Sequence, residues 1–195
     1  MATGPHPTLA WDVRTADVDA VRRTVADLFK PFELLTRPHR AYRAGLYCRP
    51  VGRATLAVIE YGDRVSLRAA ALLDLVLVQL PVRGSFRAGS GRHATEVRTG
   101  SAQIVLPDAP VVMEWSPDCQ ALVVRFDDPA AVAALLGARP AAARREPRRP
   151  VVVPLHAGGG RSLGRILGFV QDELADGLLH AVAPELRRQA DALLL

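Results

Sequence analysis

Five histidines, two cysteines, a few glycine turns and one misplaced amide are the residues of this chain with chemistry beyond packing. His6, His39, His93, His156 and His180 lie far apart and no His-x-His occurs, so the sequence offers no set of three imidazoles to hold a metal. Cys48 and Cys119 stand outside any CxxC or Cys/His cluster and read as structural thiols. There is no G-x-S-x-G elbow to present a serine nucleophile. The loops "GSGR" and "AGGGR" lack the strand-to-helix context and the Lys-Ser/Thr ending of a phosphate cradle, and read as turns. Glu60, Glu96 and Glu114 fall on separate predicted strands, which gives no carboxylate pair for acid-base work. What remains is Gln79 in "LDLVLVQLPV", the most apolar run. Alternation sets Leu73, Leu75, Leu77 and Gln79 on one face and Asp74, Val76, Val78 and Leu80 on the other. A buried amide without a partner costs about 1–3 kcal/mol. Gln79 therefore meets either a neighbouring backbone group or water, or a ligand held in an apolar pocket, and the residues alone leave both open.

Composition sets the frame for these residues. A chain of 195 residues with 49% hydrophobic content buries roughly 70% of its unfolded surface, enough for one domain with its own core. Its net charge of +5 and pI near 10.0 suggest nucleic acid, but the distribution does not. Lys30 is the sole lysine and the arginines are scattered, except in "ARPAAARREPRRP", where Arg139, Arg144, Arg145, Arg148 and Arg149 lie among prolines and alanines. That segment reads as a solvated loop, without the framework of a phosphate-binding face. No run approaches the roughly 18 apolar residues of a membrane span, and the N-terminus lacks a basic region followed by an apolar stretch, so a cytoplasmic protein without membrane partners is expected.

Three regions position the candidates. Residues 1–39 form an N-terminal extension with one helix in "TADVDAVRRTVADLF", capped by Thr15, carrying Val18, Val21, Val25 and Leu28 on one stripe and ended by Pro31. Over 40–127 the pattern becomes strands: "AYRAGLYCR", "ATLAVIEYG", "RVSLRAA", "DLVLVQLPVRGSFRAG", "HATEVRTG", "SAQIVLP", "PVVMEWS" and "QALVVRF". Turn residues every 8–12 residues or so mark an antiparallel sandwich or barrel. Residues 128–195 form a helical appendage: "DDPAAVAALLG", with Gly137 past its end, a short extended "VVVPLH", a flexible "AGGG", a helix with Leu163, Ile166, Leu167, Val170 and Leu174 on one stripe, and a last helix from Pro184.

One helix, many short strands and trailing helices predict a mainly β fold with α elements, a cupin-like antiparallel β-barrel of jelly-roll type. Metal enzymes of that fold carry a His-x-His block and a Pro-x-Gly-x-x-His block. Here the second has only an echo, from Gly100 through Pro107 to Val112, with valine where the ligand histidine would stand. No metal and no cofactor are expected, and a cupin-type enzyme is the disfavoured alternative.

"IEYGDRV", "DLVLVQLPVRGSFRAGSG", "GSAQIVLPDAPVVMEWSPDCQALVVRF" and "RRPVVVPLH", in that order and spacing, resemble the N-terminal ligand-binding and dimerisation domain of AraC/XylS-type transcription regulators. The shared elements are Tyr61-Gly62 before a strand, the strand end Gln79–Gly84, the block Gly100–Pro107 and the block Trp115–Arg125. The resemblance implies a sensor that binds a small-molecule effector and forms a homodimer. It also implies DNA binding through a pair of helix-turn-helix motifs, which belong after the point where this chain stops.

On that reading Tyr61, Leu75, Leu77, Gln79, Met113, Glu114, Trp115 and Arg125 are the expected ligand-binding residues, with Arg125 free to pair with Glu114. Tyr61 and Trp115 either stack on a ligand or plug the ends of the barrel. The stripe Leu163, Ile166, Leu167, Val170 and Leu174 packs on the barrel, and the resemblance implies a dimer interface in this region. A ligand-free dimerisation module is the remaining alternative.

Overall fold

The computed structural model describes residues 11–36, 42–51, 54–72, 74–107, 110–128, 150–158 and 160–176. Twelve strands form two antiparallel sheets. The larger has the order β1 (Trp11–Thr15), β3 (Ala44–Val51), β4 (Ala54–Glu60), β11 (Gln120–Phe126), β6 (Val76–Arg83), β9 (Ser101–Val105), β12 (Val151–Pro154). The smaller runs β2 (Glu33–Thr36), β5 (Val65–Ala69), β10 (Val111–Trp115), β7 (Ser85–Ala88), β8 (Thr95–Arg98). The two stay separate, so the jelly roll is an open sandwich, not a closed barrel.

Burial explains the two kinds of strand. In the smaller sheet, Val65 and Leu67, Phe86 and Ala88, Val97, and Val111, Met113 and Trp115 face inward, while their neighbours face solvent. In the larger sheet β4, β6 and β11 are buried on both faces, and their runs are accordingly almost wholly apolar. Alternate residues feed two clusters. Leu77 and Val123 join the core between the sheets, whereas Leu56, Val76, Val78, Leu80, Leu122 and Val124 form a second cluster on the outer face. Pro81 fits inside β6 because the β6–β11 register shifts between Gln120 and Ala121, its own cross-strand partner.

All eight strand segments read from the sequence are present, with "DLVLVQLPVRGSFRAG" divided at Gly84 into β6 and β7. The segment before residue 40 holds more than a helix, since β1 and β2 add a strand to each sheet. Helix α1 (Val18–Leu28) starts at Asp17, not at Thr15: the Asp17 carboxylate accepts from the amides of Asp19 (2.8 Å) and Ala20 (3.2 Å), and the Thr15 hydroxyl accepts from the amide of Asp17 (3.0 Å). The expected stripe faces inward, with Val21, Val25 and Leu28 buried and Val18 partly so.

The "AGGG" break is also revised, because Gly160 is buried and opens helix α2 (Gly160–Asp176). A Cβ on Gly160 would lie 2.1 Å from the carbonyl oxygen of Pro154, and one on Gly164 2.6 Å from that of Leu155. These two glycines let the helix backbone close onto the end of β12. Leu167 and Leu163 then pack into the outer-face cluster of their own domain, and Ile166 is half-buried. Leu163 and Leu167 are thereby engaged within the chain. The side chains of Val170 and Leu174, the helices expected around residues 129–137 and from Pro184, and the arginine-rich loop lie outside the described residues.

Candidate functional site

A cavity of about 60 Å³ lies between the sheets, beneath the end of α1. Val25 and Phe29 roof it with Phe32, the larger sheet supplies Ile59, Leu77, Gln79 and Val123, and the smaller supplies Leu67, Ala69, Val111, Met113 and Trp115. Tyr61 and Leu72 complete the apolar wall, and Lys30 and Arg68 stand at its rim. Among the described residues the lining contains no histidine, carboxylate or thiol.

The strand period puts Gln79 on the cavity face. Its side chain is 3% exposed, and Oε1 has no hydrogen-bond partner among the protein atoms. Trp115, 2% exposed, likewise has an unpartnered indole Nε1. One orphan acceptor and one orphan donor thus line an otherwise apolar space. Gln103, opposite Gln79 in the β6–β9 register, is buried with its Oε1 likewise unpartnered, though it does not line the cavity. Its position in "SAQIVLP", alternating with Ser101 and Val105, was the available signal. The Trp115 ring stacks on Phe86 (centroids 5.5 Å apart) and meets Tyr61 edge-on (5.1 Å), so these aromatics brace one another. Burial pushes the Tyr61 phenol well above its ordinary range and keeps it neutral.

Five of the eight expected residues line the cavity together: Tyr61, Leu77, Gln79, Met113 and Trp115. Leu75 is buried in the adjoining core but does not reach it. Glu114 is exposed on the outer face of the smaller sheet, opposite Ser66 and Arg87. Arg125 does not pair with it. The guanidinium contacts Asp127 (Nε to Oδ1, 2.7 Å) and donates from Nη1 to the carbonyl of Leu28, which ties the last turn of α1 to β11. Val25, Phe29, Phe32 and Leu72 were missed, since their place in the wall depends on how the segments before β3 and β6 cross the sandwich.

At the rim, Lys30 Nζ donates to Asp74 Oδ2 at 2.8 Å, joining the end of α1 to the approach to β6. This hydrogen bond holds the Asp74 carboxyl below its ordinary range. The contribution is therefore complete above the ordinary aspartate value and disappears as pH falls through the depressed one. Both side chains are well exposed, which limits the pair to about 0.2–1 kcal/mol, and less in salt. The Tm difference between the native chain and Lys30→Met is expected to vanish on acidification below the carboxylate range. Cys48 and Cys119 are buried in the core, their thiols pushed up by burial to about 11 and about 12, and neither lines the cavity.

Gln79→Leu gives a direct measure of the orphan amide. A leucine of similar volume removes the unpartnered group, and the unfolding free energy is expected to rise by about 1 kcal/mol in urea titrations.

Residues 21–195 match the family described as the AraC-binding-like domain. The chain belongs to that family. It is an AraC-type, cupin-like ligand-binding domain, and the fold agrees. The crystal structure of the AraC-like transcriptional activator CuxR superposes with a TM-score of 0.62 at 14% identity, over 94% of this chain and 68% of that one. Looser resemblances include protein Ylba from E. coli (TM-score 0.39, 8% identity, 64% and 52% coverage) and an oxalate decarboxylase (0.34, 12%, 69% and 39%). None of the curated proteins matches the sequence. Among the described residues no helix of the AraC-binding-like domain is long and apolar enough to cross a membrane.

Proposed function

We propose that this domain is the effector-sensing part of an AraC-type transcription regulator in the cytoplasm. A small molecule occupies the cavity without being transformed, and its occupancy biases a homodimer whose DNA-reading motifs lie outside this chain. The observation that carries this reading is the pair of orphan polar atoms, Gln79 Oε1 and Trp115 Nε1, in an apolar wall. Orphaned buried groups are costly, and a water, an ion or a ligand that completes them accounts for their retention; here the two orphans belong to residues that line a cavity. An enzyme is disfavoured because the described lining holds no histidine, carboxylate or thiol, its Lys30 is paired with Asp74 at the rim, and burial keeps the Tyr61 phenol neutral.

The proposal is tested by thermal denaturation against a metabolite set, with Ala69→Phe plugging the mouth. One compound class that raises Tm in the native chain, not in Ala69→Phe, and is recovered unchanged supports it. A second reading, a ligand-free dimerisation module, is favoured by volume, since about 60 Å³ is well below the roughly 300–1,000 Å³ of common ligand sites. That reading prevails if no compound acts and Ala69→Phe leaves dimerisation unchanged.

A further inference from the structure

The chemistry of the wall narrows the ligand, on the premise that the cavity is an effector site. We infer that it takes the uncharged, hydroxyl- or amide-bearing end of its ligand. Gln79 Oε1 requires a donor and Trp115 Nε1 requires an acceptor. A carboxylate, ether or ketone only accepts and leaves Gln79 facing another lone pair. An ammonium only donates and leaves Trp115 facing another proton. Hydroxyls and primary or secondary amides supply both functions.

Charge and size point the same way. The formal charges at the site, Lys30 and Arg68, stand at its rim, and Lys30 is paired with Asp74. An ion carried inward to Gln79 would lose its water and find no counter-charge. A cavity of about 60 Å³ has room for only a small group, given roughly 10–15 Å³ of such volume for one water. It adjoins an open surface groove, with Phe32, Arg68, Ala69 and Val111 lining both. The neutral tip of a larger ligand therefore enters past these residues, and its charged parts remain outside beside Arg68 and Glu33.

The test uses matched four-carbon probes and the indole N–H resonance of Trp115 in the ¹⁵N-labelled chain, assigned against Trp11 with Trp115→Phe. Butyramide and 1-butanol are expected to shift this resonance with Kd values about ten-fold or more below those of butyrate and butylammonium. In Gln79→Leu the Kd of butyramide rises about five-fold or more, whereas butanone, an acceptor serving only Trp115, changes by less than about two-fold. Butyrate or butylammonium binding as tightly as butyramide overturns the ligand class and leaves the effector reading standing. Equal loss of butyramide and butanone in Gln79→Leu also overturns the assignment to Gln79. No shift with any probe, butanone included, overturns both.

Discussion

Trp115→Ala is expected to lower the unfolding free energy by about 3–5 kcal/mol, the range for emptying the site of a fully buried large aromatic. Trp115 ends β10, where its backbone pairs with Val65 of β5 and Phe86 of β7. Its ring is 2% exposed, stacked on Phe86 and edge-on to Tyr61. Tyr61 directly follows β4 of the larger sheet, so the three rings bridge the two layers. Aromatic pairs in these geometries add about 0.5–1.5 kcal/mol beyond the area they bury. Trp115→Phe separates packing from hydrogen bonding: it keeps most of the ring contact and removes the orphan indole N–H, so its cost is expected below about 1.5 kcal/mol. Urea titrations with an unchanged m-value establish both numbers. Equal losses in the two variants would mean that the ring contacts with Tyr61 and Phe86 do not hold the sandwich together.

Gly62→Ala is expected to cost about 2–4 kcal/mol, although the residue is exposed and does not line the cavity. Gly62 has φ +64, and a Cβ there would lie 2.1 Å from the carbonyl oxygen of Arg43. The penalty joins left-handed backbone strain to a collision with main chain, which cannot swing aside as a side chain would. The turn it makes sets the direction of Tyr61. On the proposed effector reading, the same variant is expected to weaken ligand binding as well as stability, read as a lower Tm together with a smaller ligand-induced Tm rise. Gly91, with φ +53 but open space around it, is the control: Gly91→Ala carries backbone strain without the collision and is expected to lose about 1–2 kcal/mol.

The sequence was most legible where one strand carries one period. In "LDLVLVQLPV" alternation alone placed Leu77 and Gln79 on the cavity side, because a two-residue repeat holds whether the other face meets solvent or protein. The same repeat in "PVVMEW" aligns Met113 with Trp115 and turns Glu114 outward, so the expectation that Glu114 meets a ligand ran against the period. Arg125 shows the limit: it shares a strand side with Val123, yet its long side chain spans to the carbonyl of Leu28, 97 residues away in sequence. No local pattern encodes such a contact. The cavity roof, from Val25 through Phe29 to Phe32, was hidden for the same reason. β1 and β2 escaped because strands of five and four residues flanking a strongly amphipathic helix carry too few periods to compete with it. Gly160, the last residue of the "AGGG" that reads as looseness in sequence, serves together with Gly164 as a close seat in the fold.

Strand β6 lets two traits diverge independently within eight residues. Leu77 and Gln79 line the cavity, while Val76, Val78 and Leu80 belong to the layer against which α2 rests. Substitution at the first set reshapes the cavity and leaves the second as inherited. On the proposed effector reading, the ligand preference of the domain can thus drift without disturbing the seat of α2.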